Sequence, residues 1–129
     1  MDKELFKLCK AVYIMTGWSD TDSYFLGEEI IHRTPRQSDL HPPTLTEDDC
    51  SPRYTSDYLL EKLPKRIEGN VLGVGYAIYE PPSAIDIHHA WLASYEDRQG
   101  IPHIYAYSDA PLKALLKLTI ALHEAGELS

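Results

Sequence analysis

Apolar residues recur at helical spacing near both ends of the chain. Close to the N-terminus these residues are Leu5, Leu8, Val12 and Met15. Their spacing places them on one side of a helix, which predicts a helix from Lys3 to Met15, ended by Gly17. Close to the C-terminus a leucine-rich stripe begins after Pro111 and ends before Gly126. Proline in the first turn and glycine after the last turn are typical helix boundaries, which predicts a long helix over Ala110–Ala125.

Between these helices, turn-forming residues interrupt the pattern. Aromatic and branched residues over Tyr24–His32 predict a short hairpin. Residues 34–53 contain four prolines and an acidic run but no periodicity, which predicts a long surface loop. A hydroxyl side chain at Thr55 or Ser56 can cap a helix, and leucines follow it. We therefore expect a short middle helix that runs through Leu63.

Alternation with a period of two predicts three strands in the second half of the chain, at Val71–Tyr79, Ala84–Tyr95 and Ile101–Ser108. The strands follow one another along the chain, which favours antiparallel pairing. With the helices they predict an α+β fold. It has an antiparallel sheet of three to five strands packed with an N-terminal, a short middle and a long C-terminal helix, in the manner of an αβα sandwich. The length predicts a single domain over residues 1–129, with the 34–53 loop within it.

One face of the predicted sheet is rich in aromatic side chains. Alternation places His89, Trp91 and Tyr95 on one face of the middle strand. If Tyr95 opposes Ile101 across the turn, the last strand adds its rings to the same side. The side chains that the last strand contributes are His103, Tyr105 and Tyr107. In this register Trp91 faces Tyr105, and His89 faces Tyr107. The shared face predicts either a surface that stacks a planar ligand or receives a partner, or a core face buried under a helix.

The charge balance argues against one class of partner. Twenty acidic and twelve basic residues give a formal net charge of -8, whereas general nucleic-acid binders carry clustered lysine and arginine. No apolar run approaches the roughly 20 residues that span a bilayer, and charges interrupt the N-terminus, so neither an anchor nor a signal peptide is expected. Cys9 and Cys50 predict neither a disulfide framework nor a zinc site. We therefore expect a cytoplasmic protein.

Asp86 and His88 are candidates for metal or acid–base chemistry. They share a strand face, where a carboxylate and an imidazole supply half of a metal site or a general base with its orienting partner. His89 lies on the opposite face, so the adjacent histidines do not bind one metal together. Further ligands would come from His32, His41 or the acidic loop, and an exposed polar sheet edge is the simpler interpretation. No cofactor is predicted, because the chain has no nucleotide-binding glycine loop, serine-hydrolase elbow or zinc-protease helix motif.

An acidic run lies within the predicted loop. Glu47, Asp48 and Asp49 follow proline-rich sequence and lack the residue order of a calcium loop. A solvated loop is one interpretation of this run. The functional interpretation is that it presents negative charge to a basic protein, in the manner of a nucleic-acid mimic.

The C-terminal part of the sequence combines three features in order. Tyr54–Asp57 opens a helix, the second of three strands carries Trp91, and Ser108–Leu112 leads into a leucine-rich helix that closes at Glu124–Gly126. This order resembles the phage ABA sandwich domain, a family of small phage and prophage proteins, over residues 52–128. The resemblance implies an α/β/α sandwich and a phage or prophage origin. It implies no catalytic residue, because the shared positions are caps, turns and core residues.

Taken together, the patterns favour binding over catalysis. The first hypothesis is a small cytoplasmic accessory protein of phage or prophage origin that binds a macromolecular partner, such as a host or defence factor. One alternative is a protein that binds or sequesters a nucleotide-like ligand on the aromatic sheet face. The other is a small metal-dependent hydrolase that uses Asp86 and His88. A homo-oligomer is compatible with each hypothesis, since strand edges and tyrosine-rich faces often bury against a second copy.

Overall fold

The computed structural model describes residues 2–79 and 88–128, and for residues 77–79, 88 and 89 it describes the backbone alone. Within these ranges the protein has three α-helices and two antiparallel sheets of three and four strands, so the α+β class is confirmed. The chain divides into two compact units, Met1–Tyr58 and Leu59–Ser129, here called the N-terminal unit and the C-terminal unit. The single domain inferred from the length stays a prediction.

Helix α1 (Lys3–Thr16) confirms the predicted N-terminal helix. The Leu5 N–H donates to Asp2 Oδ1 at 3.1 Å, which caps the first turn. Gly17 ends the helix with a φ of 72°, and its N–H donates to the Tyr13 carbonyl at 2.7 Å. Glycine adopts this left-handed conformation without a steric penalty, which explains why the helix ends here.

The sheet of the N-terminal unit is built from short strands. Strand β1 (Tyr24–Leu26) pairs with β2 (Glu29–Ile31) in an antiparallel hairpin, as predicted, and β3 (Cys50–Pro52) pairs with the other side of β1. The 34–53 segment, predicted as a surface loop, thus ends in a strand. It also contains 3-10 turns at Gln37–Asp39 and Glu47–Asp49. Polar side chains, described below, hold this segment in place.

Helix α2 (Ser56–Lys62) spans the boundary between the two units. The Tyr58 N–H donates to Thr55 Oγ1 at 3.2 Å, so Thr55, one of the two predicted candidates, caps the helix. Leu59 and Leu63 are buried, and the Leu63 N–H donates to the Leu59 carbonyl at 2.8 Å. The predicted middle helix is therefore confirmed.

The sheet of the C-terminal unit has the order β4-β5-β6-β7, and every neighbouring pair is antiparallel. Its strands are β4 (Arg66–Ile67), β5 (Asn70–Tyr79), β6 (His88–Glu96) and β7 (Pro102–Ser108). Strand β4 was not predicted, because it has only two residues. The turn that joins it to β5 has positive φ at both central positions, which is the usual geometry of a two-residue hairpin. Residues 84–87 of the predicted middle strand lie outside the described residues.

Helix α3 (Pro111–Glu124) confirms the predicted C-terminal helix and packs against β6 and β7. Its leucines at 115, 116, 118 and 122 are buried. The Lys117 ammonium donates to Ser108 Oγ at 3.5 Å, so α3 lies on the side of the sheet to which Ser108 points. Burying four leucine side chains contributes roughly 2 kcal/mol each, which makes this packing the main apolar contribution to the C-terminal unit.

The predicted register between β6 and β7 is wrong. Tyr95 opposes Ile104 and not Ile101, and Trp91 opposes Ser108 and not Tyr105. The turn is shorter than predicted, because the Asp97 N–H donates to the Ile101 carbonyl at 3.1 Å. This difference moves the register by an even number of residues, which by itself leaves the faces unchanged.

A β-bulge between Tyr95 and Glu96 then moves the register by one more. Glu96 opposes Pro102 and Tyr95 opposes Ile104, so His103 is the extra residue on β7. A shift of one residue exchanges the two faces of a strand. The bulge therefore places Tyr105 and Tyr107 on the side opposite to Trp91 and Tyr95, and the predicted shared aromatic face does not exist.

The sheet of the C-terminal unit consequently has two different faces. The helix face, on the side of α3, carries Leu72, Val74, Tyr76, Trp91, Ala93, Tyr95, Ile104, Ala106 and Ser108. Ala93 and Tyr95 on this face are completely buried. The other face, here called the glycine face, carries Gly73, Gly75, Leu92, Ser94, Tyr105 and Tyr107. Tyr105 is 50% exposed, so water reaches this face.

Candidate functional site

The residues of the predicted aromatic patch have different environments. Tyr95 is completely buried, and its hydroxyl donates to the Pro64 carbonyl at 2.7 Å. Burial raises the pKa of Tyr95 to about 12. Trp91, also on the helix face, packs edge-to-face against Tyr76 with ring centroids 5.6 Å apart. Tyr95 therefore belongs to the core of the C-terminal unit. His89, which was predicted to share a face with Trp91 and Tyr95, is described by its backbone alone.

His103 belongs to the turn between β6 and β7. Its Nε2 lies 3.0 Å from Asp97 Oδ2. Asp97 Oδ1 also accepts hydrogen bonds from the N–H groups of Gln99, at 2.8 Å, and Ile101, at 3.1 Å. The hydrogen bond from His103, followed by that from Ile101, lowers the pKa of Asp97. The imidazole thus helps to close the turn next to the bulge and does not join Trp91 or Tyr95.

The glycine face contains an open hollow. Its volume is about 340 Å³, and it is lined by Gly73, Val74, Gly75, Tyr76, Leu92 and Glu96. A Cβ atom added at Gly73 or Gly75 would meet no atom within 4 Å. Beside the hollow on β7, the rings of Tyr105 and Tyr107 pack edge-to-face with centroids 5.7 Å apart. Glycine within a strand often marks a place where another backbone or a ligand approaches closely.

The acidic run Glu47–Asp49 forms a 3-10 turn whose residues have unequal roles. Asp49 Oδ2 accepts a hydrogen bond from the Thr46 N–H at 2.8 Å, which closes the turn. The Lys10 ammonium donates to the carbonyls of Glu47, at 3.0 Å, and Cys50, at 2.7 Å, and so ties this segment to α1. Glu47 and Asp48 are exposed. Two of the three predicted carboxylates thus face solvent, while the third is structural.

A bidentate ion pair fixes the preceding part of the same segment. The Arg33 guanidinium donates to both carboxylate oxygens of Asp39, at 2.7 Å each. Asp39 Oδ2 also accepts from the Arg36 N–H at 2.6 Å. These hydrogen bonds, that of Arg33 first, hold the pKa of Asp39 well below its usual range. The charge of Asp39 is therefore matched by an arginine.

A depression of about 540 Å³ lies between the β1–β2 hairpin and the 34–53 segment, both in the N-terminal unit. It is lined by Leu26, Gly27, Glu28, Glu29, Ser38, Asp39, His41, Thr44 and Leu45. Glu28 and Glu29 are exposed, and no lysine or arginine is among these lining residues. A Cβ at Gly27 would approach Leu45 Cδ1 to 3.0 Å, so the hairpin turn packs closely on the segment. We call this feature the acidic depression. The adjacent Glu28 and Glu29 are its only signal in the sequence, and the depression was not predicted.

Both cysteines are free thiols. Burial raises the pKa of Cys9 to about 11. Burial also raises the pKa of Cys50, and this effect outweighs the nearby Lys10 ammonium. Cys50 lines a cleft of about 420 Å³ with Tyr13 and Tyr24. Both thiols are therefore protonated at neutral pH, and a protonated thiol is a weak nucleophile.

The structure does not test the predicted metal-binding pair, Asp86 and His88. Asp86 lies outside the described residues, and His88 is described by its backbone alone. Among residues 2–79 and 88–128, no group of three or more histidine, cysteine, aspartate or glutamate side chains is placed to hold a metal ion. Within the same ranges, no helix combines the length and the apolar character needed to cross a bilayer.

Comparisons of this chain with protein-family models, with curated proteins and with solved structures found no match. The resemblance to the phage ABA sandwich domain therefore stays a prediction.

Proposed function

We propose that this chain is a small, non-catalytic binding protein of phage or prophage origin, and that it binds a basic segment of a partner protein in the host cytoplasm. The acidic depression carries this proposal. Its lining combines the apolar residues Leu26 and Leu45 with the exposed residues Glu28 and Glu29. A segment with lysine or arginine next to a leucine-like side chain matches both properties.

The charges around the depression support a basic partner. Asp39 is paired with Arg33, so Glu28 and Glu29 supply the unmatched negative charge of the lining residues. Glu47 and Asp48, in the same unit, are also exposed. The whole chain carries a net charge of -8, which speeds encounter with a positive surface and repels a negative one.

The aromatic sheet face that motivated the nucleotide alternative no longer supports it. Stacking a planar base requires rings on one side of the sheet. Trp91 and Tyr95 lie on the helix face, whereas Tyr105 and Tyr107 lie on the glycine face. The nucleotide alternative therefore loses the observation that motivated it.

Titration with defined peptides tests the proposal. The probe is a labelled peptide that alternates lysine and leucine, and the matched control peptide replaces each lysine by glutamate. We expect binding of the basic peptide in the micromolar range, weakened by added salt because exposed charges are screened. The acidic peptide should not bind.

Paired variants locate the binding surface. Replacing both depression carboxylates, Glu28→Gln with Glu29→Gln, should weaken binding of the basic peptide about tenfold. The control, Glu61→Gln with Glu68→Gln, makes the same change of charge at exposed positions of α2 and the β4–β5 turn. Equal weakening by both pairs would mean that net charge alone attracts the peptide, and the acidic depression would then not be the site.

A further inference from the structure

A second concave site in the N-terminal unit brings charged and aromatic side chains together. Its lining comes from α1, β1 and the 34–53 segment, and includes Lys10, Tyr13, Tyr24, Glu47, Cys50 and Pro52. Its volume of about 420 Å³ lies within the range of about 300 to 1,000 Å³ that small-molecule pockets have. It shares no lining residue with the acidic depression. We call this feature the lysine cleft.

The Lys10 ammonium has an unused donor in this cleft. An ammonium has three N–H donors, and two of those of Lys10 donate to the backbone carbonyls of Glu47, at 3.0 Å, and Cys50, at 2.7 Å. Lys10 is half-buried, and among residues 2–79 and 88–128 no carboxylate forms an ion pair with it. Its third donor and its positive charge are therefore available to an anionic group in the cleft.

A carboxylate of the same cleft lies close to this ammonium. Because Lys10 binds the backbone carbonyl of Glu47, the Glu47 side chain starts within one residue of the positive charge. Glu47 is exposed and does not pair with Lys10. Neighbouring charges of opposite sign match a zwitterion, since a ligand with a single charge meets one attraction and one repulsion. An α-amino acid carries both charges on one carbon.

Aromatic rings supply the apolar part of the cleft. The centroid of the Tyr13 ring lies 5.9 Å from Lys10 Nζ, and Tyr13 is 36% exposed. The Tyr24 hydroxyl donates to the Ser19 carbonyl, which holds this ring in place on β1. Pro52 on β3 pairs with Tyr24 and lines the same cleft. Such walls favour a flat apolar side chain on the ligand.

From these contacts we infer that the lysine cleft binds a free aromatic amino acid, such as phenylalanine or tryptophan. The ligand's carboxylate binds Lys10, its ammonium binds Glu47, and its ring packs against Tyr13 and Tyr24. Water screens the exposed Glu47 contact, so this charge pair adds only modestly to the affinity. We therefore expect a dissociation constant of about 0.1 to 1 mM.

Isothermal titration of the full chain with matched analogues tests the chemistry of the ligand. Phenylalanine carries all three groups, whereas phenylalaninamide lacks the carboxylate, phenylpropionate lacks the ammonium and alanine lacks the ring. We expect phenylalanine to bind, and each analogue to bind at least about tenfold more weakly. The inference is overturned if neither phenylalanine nor tryptophan binds at up to about 10 mM, or if any analogue binds as well as phenylalanine.

The variant Glu47→Gln tests the contact with the ligand's ammonium. It keeps the backbone carbonyl that Lys10 binds, so the fold should be preserved, as checked by circular dichroism. It should weaken phenylalanine binding about tenfold and bring phenylpropionate close to phenylalanine in affinity, because the repulsion is removed. The control Asp48→Asn makes the same change of charge at the next residue, which is exposed and does not line the cleft. Equal effects of the two variants, or no effect of Glu47→Gln, would contradict the inference.

The thiol of Cys50 reports where the ligand binds. Cys50 lines the cleft, whereas Cys9 is completely buried, so an alkylating reagent should react first at Cys50. Bound phenylalanine should slow this reaction in proportion to its occupancy, as measured by mass spectrometry. An unchanged rate at saturating ligand would place the binding elsewhere and overturn the inference.

The lysine cleft and the acidic depression can be tested independently. The double variant Glu28→Gln with Glu29→Gln alters no residue of the lysine cleft, so it should weaken binding of the basic peptide and leave phenylalanine binding unchanged. Loss of the proposed function would therefore not remove the amino-acid site, and the reverse also holds.

Discussion

The two units of this protein are stabilised by different kinds of interaction. In the C-terminal unit, strands of ten, nine and seven residues pack on a helix whose leucines are buried. In the N-terminal unit, each strand has three residues, and polar contacts from Lys10 and Arg33 hold the long connecting segment. Apolar packing produces a periodic sequence, whereas a single polar contact between distant residues does not. A sequence therefore reveals elements held by apolar packing more readily than elements held by polar contacts.

The largest effect is expected from a cavity in the C-terminal unit. Leu116→Ala removes a completely buried side chain of α3 and should lower the free energy of unfolding by about 3 kcal/mol. The control is Ile14→Ala on α1, where the side chain is 72% exposed and the expected loss is below about 0.5 kcal/mol. Urea unfolding measures both values. Similar losses for the two variants would contradict the assignment of the core to α3.

A smaller effect is expected from the polar contact in the N-terminal unit. Lys10→Met keeps the aliphatic stem but removes both hydrogen bonds to the carbonyls of Glu47 and Cys50, at an expected cost of about 1.5 kcal/mol. Faster amide exchange should be confined to the connecting segment and β3. Lys7→Met, at an exposed position of the same helix, is the control. A stability loss as large as that of Leu116→Ala would erase the proposed difference between the units.

A polar contact inside the apolar unit should matter less than its packing. Tyr95→Phe removes the hydroxyl that donates to the Pro64 carbonyl and should cost about 1 kcal/mol, because a partly buried acceptor loses its partner. The matched control is Tyr105→Phe on the exposed glycine face. Thermal unfolding should separate these two variants. No difference between them would show that the Tyr95 hydroxyl contributes nothing to stability.

The smallest effect is a pH dependence of the 34–53 segment. Because Arg33 lowers the pKa of Asp39, the ion pair contributes stability above the unfolded-state pKa of about 3.9. That contribution is lost as the pH falls through the lower, folded-state value. A chemical-shift titration should therefore show the segment loosening only at strongly acidic pH. Asp39→Asn should remove this dependence, and Asp48→Asn in the same segment should not.

Sequence periodicity predicted the elements that bury a continuous apolar stripe, such as α1 and α3, and the alternating strands β5 and β7. It did not predict β4, whose two residues are too few to show a period. It also placed the rings of β7 on the wrong face, because an alternation pattern contains no information about a bulge such as the one at His103 of β7. The acidic depression was missed for a similar reason: Glu28 and Leu45 are distant in sequence, and only the folded connecting segment brings them together.

The bulge at His103 determines on which side of the sheet the rings of β7 lie. Deleting His103 would remove the bulge but keep Ile104 opposite Tyr95 and Tyr105 opposite Ser94, so the rings would stay on the glycine face. A regular ladder that kept His103 would instead pair Tyr105 with Ala93 and turn its ring toward α3. The side that each ring occupies thus depends on how the two strands pair and not on the amino-acid composition of β7.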